Sequence, residues 1–248
     1  MLARRLFGFA MLASLALTTA CAADDASPAG DGDAVTGDDA NLTEAAAARL
    51  KVPLSVLRAS FFVKPTPIDQ SNLGVVLEDG VAFADGATSQ ALPSITSLDK
   101  KAFAKLPVGT ISVGEERYGA MFDWDGVDSG AGERIVGRTA PPLLDPSALR
   151  VGMKCRVLGT DMDMYTSGPP KTRSIEGAID RLRDGVVLVK STESTGGEMS
   201  LLVCDGKLAG IRAGAGSQGT WHEYHVLDRA TLDAFRAKRD ACKAGRCR

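Results

Sequence analysis

The chain has 248 residues, 44% of them hydrophobic, with a formal net charge of −2 at pH 7 and only 5% aromatic residues. That balance allows a substantial buried core and offers neither a basic surface for phosphates nor enough rings for base stacking, so nucleic acid is excluded as a partner. With the N-terminus set aside, about 200 residues remain for one or two compact domains.

Arg4 and Arg5 precede an apolar run from Leu6 to Leu17 and the small residues Thr18, Thr19 and Ala20. This is the pattern of an export signal, too short to span a bilayer as a mature helix. Thr18-Thr19-Ala20-Cys21 is similar to a bacterial lipobox with Thr18 in place of the usual Leu, which predicts a signal over residues 1–21 and a lipid on Cys21. Plain cleavage after Ala22 is the alternative, because Ala20-Cys21-Ala22 also fits a small-x-small site. Either route exports the protein, to the cell envelope with a membrane contact only through the N-terminal lipid, or as a secreted chain. Residues 22–48 hold Asp24, Asp25, Asp31, Asp33, Asp38 and Asp39 among Ala and Gly, and read as a disordered acidic tether. Asn41-Leu42-Thr43 fits a glycosylation acceptor, a coincidence behind a bacterial-type signal.

From Leu54 the texture changes to short apolar runs between turn residues. Leu57 to Val63 reads as a strand, and Leu73 to Leu77 with Val81 to Ala84 flank the hairpin turn Glu78-Asp79-Gly80. Thr96 to Leu106 has the pattern of a short helix ended by Pro107. Thr110 to Val113 and Tyr118 to Trp124 make a second hairpin across Gly114-Glu115-Glu116, and Arg134 to Val136 a further strand. Pro141-Pro142 and Asp145-Pro146 read as a linker. Strands follow over Lys154 to Leu158, Ile175 to Arg181, Val186 to Lys190, Leu201 to Cys204, Lys207 to Arg212 and Glu223 to Val226. Asp228 caps a closing helix with Leu232 and Phe235 on its apolar face and Gly245 beyond its end. Short strands punctuated by glycine predict an all-β fold of barrels or a sandwich.

With Cys21 lipidated or removed, Cys155, Cys204, Cys242 and Cys247 remain, an even number in an oxidising compartment. Three pairings are open. Cys242 and Cys247 are close enough to close a small loop, which leaves Cys155 with Cys204 as the economical remainder.

The run Gly196-Gly197-Glu198-Met199-Ser200-Leu201-Leu202-Val203-Cys204-Asp205-Gly206-Lys207-Leu208-Ala209-Gly210-Ile211 resembles the nucleophile strand of chymotrypsin-like serine proteases, from Leu202 onward. Gly152 to Gly159 resembles the family's first strand of the second barrel, whose Cys bridges to the one after the nucleophile, here Cys155 to Cys204. Gly210-Ile211-Arg212-Ala213-Gly214 is similar to the strand lining the primary specificity pocket, and Tyr224-His225-Val226 with Leu232 and Phe235 to the last strand and helix. The resemblance is good from Leu144 to Lys238 and thin before it, resting on Gly74 to Leu77, Gly119 to Phe122 and Ala140 to Pro142. It implies two antiparallel β-barrels, residues 54–140 and 141–240, a short C-terminal helix, and a Cys-containing tail over 241–248.

The family's triad needs a nucleophile, an imidazole and an orienting carboxylate. Counting back from Cys204 puts Glu198 at the nucleophile. The histidine position falls at Asp85, in Ala82-Phe83-Ala84-Asp85-Gly86, and the carboxylate position at Tyr118 or Gly119. An insertion before the strand would make Thr195 the nucleophile, in Ser194-Thr195-Gly196-Gly197, but still without a base. The resemblance therefore implies a degenerate protease, not an enzyme, that binds a protein or peptide partner through the former active-site cleft or its loops. The alternatives are a hydrolase working through Thr195 or the pair Asp85 and Glu198, and a structural envelope protein with no ligand.

His222-Glu223-Tyr224-His225 contains metal-ligand types, but on a strand residues three apart face opposite ways, so no metal is expected, nor any cofactor. Asp123-Trp124-Asp125-Gly126-Val127-Asp128 lacks the bidentate Glu of a calcium loop and reads as an acidic turn. Met121, Phe122 and Trp124 read as core or strand-face residues.

Overall fold

A computed structural model of the chain describes residues 43–64, 72–77, 80–84, 94–98, 108–113, 116–124, 139–160, 171–193, 198–213 and 219–247. Helix α1 (Glu44–Leu50) starts at Thr43, whose hydroxyl accepts from Ala46 N, and ends at Lys51 in the left-handed region (φ 53°). It buries Ala46, Ala47 and Leu50. The expected tether thus gives way to folded chain at Glu44, because alanine favours helix and its methyls, spaced with Leu50, make a narrow apolar face. Helix α2 (Leu54–Arg58) buries Val56 and Leu57. Leu57 is therefore helical rather than the start of a strand, and the Ser60 hydroxyl donates to Val56 O as the chain turns into the sheet.

Strands β1 (Ser60–Lys64), β2 (Asn72–Leu77), β3 (Gly80–Ala84), β4 (Ser94–Ser97), β5 (Val108–Val113) and β6 (Glu116–Phe122) form one six-stranded antiparallel sheet in the order β4-β1-β2-β3-β6-β5. Both expected hairpins are present, β2 with β3 and β5 with β6. Thr96 and Ser97, at the start of the expected helix, are strand, because Ser94 to Ser97 pair with Lys64 to Phe61; long-range pairing overrides a short helical pattern. Residues 99–106 and Arg134 to Val136 lie outside the described residues.

Strands β7 (Lys154–Thr160), β8 (Thr172–Arg183), β9 (Val186–Ser191), β10 (Glu198–Cys204), β11 (Lys207–Arg212) and β12 (Trp221–Val226) close into a barrel, β10-β11-β12-β9-β8-β7, the seam being β7 against β10. Cys155 and Cys204 are direct partners across that seam and are bridged, and Cys242 is bridged to Cys247. The linker enters along β11, Leu144 N donating to Leu208 O and Leu208 N to Pro142 O. Helix α3 (Arg229–Lys243) is capped by Asp228, which accepts from Thr231 N at 2.8 Å. It runs past the expected boundary at residue 240 and buries Cys242.

Two apolar cores result. One fills the barrel with residues such as Val157, Ile175, Val189 and Leu202. The other joins the first sheet and α1, α2 and α3 to the barrel's outer residues Leu158, Leu201, Val203 and Ile211. Between them Leu73 N donates to the buried Ser200 hydroxyl at 3.0 Å.

Candidate functional site

Alternation along β12 decides what its two histidines do. His222 is 1% exposed and its Nε2 lies 3.1 Å from the Ser191 hydroxyl of β9. His225 meets Tyr118 of β6 edge to face, ring centroids 5.6 Å apart and planes at 84°. The rings serve different neighbours on different faces of the strand, so they cannot share a metal ion.

Tyr118, one of the two residues expected at the carboxylate position, is buried, opposite Ala84 of β3 and Ile111 of β5. Gly119 follows it in β6, opposite Phe83 and Thr110. A cavity of about 20 Å³, room for one water, lies beside the Tyr118 and His225 rings against Ile111, Ile211 and Phe235. This part of the junction between sheet and barrel is filled by side chains. Glu198 opens β10 opposite Thr160 of β7, ahead of a register shift that extends to Leu201. Asp85, Thr195 and Cys21 lie outside the described residues, so the separation of the Asp85 and Glu198 carboxyl groups is not defined. Asp123, the first residue of the expected acidic turn, is fully buried directly after β6, while Met121 and Phe122 are core as expected.

At the other face of β12 lies a polar group that sequence reading did not assemble. Ser191 donates to Glu193 O (2.6 Å), with Thr220 O at 3.1 Å as a second acceptor. With the hydroxyl proton directed at carbonyls, His222 donates Nε2–H to the Ser191 oxygen, and its unprotonated Nδ1 is buried without a hydrogen-bond partner. Tyr224, fully buried two residues on, also has an unpartnered hydroxyl and is cross-strand partner to Arg212. Ser191 and His222 are both buried and the hydroxyl is held between two carbonyls, so the pair presents no exposed nucleophile. Alternation could have paired His222 with Tyr224; placing Arg212 and Ser191 beside them requires strand register.

Burial and then the Arg212 charge hold the His222 imidazole down at about 4, against 6.5 when unfolded, and burial pushes the Tyr224 phenol up. Between pH 6.5 and 4 the unfolded chain thus binds a proton at His222 that the folded chain refuses. Stability attributable to this residue is complete above pH 6.5 and falls as pH drops toward 4, by about 2–3 kcal/mol at pH 4.5. Urea midpoints at pH 7 and 4.5 should show this extra loss in the native chain and not in His222→Gln, which keeps a donor for Ser191.

Neither a family model nor a curated protein matches this chain. Solved structures do, and with the closed barrel and C-terminal helix they define its class as a chymotrypsin-like β-fold. One of them is an HtrA-type protease, AlgW with a tripeptide, similar at a TM-score of 0.53 and 12% identity over 76% of this chain. The match spans 62% of that protease's length. Among the described residues no helix is long and apolar enough to cross a membrane.

Proposed function

We propose that this protein is a non-catalytic relative of the trypsin-like proteases that binds a protein or peptide partner in the cell envelope. The observation that carries the reading is the fate of the histidines: the chain has two, both on β12 of the second barrel, and both buried in other contacts. No imidazole remains for the first-sheet position that supplies the base in the family. Tyr118 against His225, beside Gly119 in the stretch expected to carry the orienting carboxylate, supports the same reading. Because side chains fill the junction there, the partner is engaged by the surrounding loops.

The expected result is that a fluorophosphonate probe does not label the mature protein, that casein is not hydrolysed, and that a random peptide library yields binders. Specific labelling abolished by Thr195→Ala would overturn the reading in favour of a hydrolase, and a library without binders in favour of a purely structural role. For the anchor, Cys21→Ser should abolish palmitate incorporation and move the protein from the membrane fraction to the soluble one; unchanged fractionation would mean plain cleavage after Ala22.

A further inference from the structure

At one end of the second barrel a single side-chain hydroxyl joins β9 to the start of β12. Ser191, the last residue of β9, receives Nε2–H of His222 from β12 and donates to the carbonyl of Glu193, while its backbone N–H donates to Thr220 O at 2.7 Å. Glu193 is in turn gripped by Arg173 of β8 at 2.9 Å. This knot holds the residues after β9 to those before β12.

We propose that His222 is an acid-sensitive latch on this end of the barrel: protonation of its buried Nδ1 ejects the ring, releases Ser191, and loosens residues 191–193 and 219–224 while the first sheet stays folded. The surroundings make the protonated ring untenable there. From β9 it meets the Ser191 hydroxyl, and from β11 the guanidinium of Arg212 repels a second positive charge; the buried Tyr224 lies two residues along on the same face of β12. Among the described side chains at this end, the Glu193 carboxylate is engaged by Arg173, and Glu223 is exposed on the opposite face of β12. A new Nδ1–H would therefore be a buried donor beside a cation, and hydration is the available relief. This latch is independent of the proposed partner and of any catalytic activity.

Hydrogen exchange of the full mature chain at pH 7 and pH 4.5, corrected for intrinsic exchange rates, tests it. Protection of peptides covering 186–193 and 219–226 should fall at least tenfold at pH 4.5 and end at least tenfold below that of peptides covering 60–64, 72–77 and 116–122. His222→Gln should remove the difference. Retained protection in the native chain, equal loss in His222→Gln, or protection at pH 4.5 that is the same in these peptides as in the first sheet would each overturn the latch. Should the variant fail to fold, proton NMR of the native chain decides: the His222 ring must titrate together with the opening, and titration near 6.5 without opening refutes the proposal.

Discussion

Replacing Cys155 and Cys204 together by alanine is expected to lower the unfolding free energy by about 4 kcal/mol. The two are 49 residues apart in sequence, and in the chain-entropy account a bridge over a loop of that length restricts the unfolded chain by about that amount. The same relation gives about 2 kcal/mol for Cys242 and Cys247, which are 5 residues apart. The first bridge also lies at the seam where β7 meets β10, with both sulfurs in the barrel core, so alanine leaves unfilled space as well. A domain of this kind has a net stability on the order of 5–15 kcal/mol, so the loss is a large fraction of the total. Urea unfolding of the two double variants in parallel measures it. If removing the Cys155 bridge costs no more than removing the Cys242 bridge, loop closure is not what stabilises the barrel.

The second half of the chain was legible because its signals are local and redundant. The apolar run Val186 to Val189, the Asp205-Gly206 turn and paired cysteines all point to the same barrel. The first half was read less well where tertiary contacts outweigh short-range pattern. Ala46 and Ala47 are buried only because the sheet offers them a surface, and Ser94 to Ser97 become strand only because β1 lies beside them. The candidate site divides the same way. The absence of any histidine before His222 was visible from residue identities alone, whereas Tyr118 against His225 depends on how the sheet docks on the barrel. Arg212 beside Tyr224 depends on the register of β11 with β12, which periodicity does not specify.

The docking itself sets the second large effect: Phe235→Ala is expected to cost about 3–5 kcal/mol. Helix α3 leaves the barrel after β12 but buries its apolar face on the first sheet, Phe235 being 2% exposed with its ring centroid 5.1 Å from that of Phe122 in β6. The sheet makes room for this ring with a glycine, since a Cβ on Gly80 would lie 2.6 Å from Phe235 Cζ. Asp228→Ala removes only the helix cap, worth about 1 kcal/mol, and so reports on the helix without the docking. Losses of similar size in the two variants would mean that α3 does not fasten the halves together. If it does, Phe235→Ala should also split a single unfolding transition into two, because the Cys155 to Cys204 bridge stabilises the barrel alone and the sheet, lacking a disulfide of its own among the described residues, depends on the helix for its remaining cover.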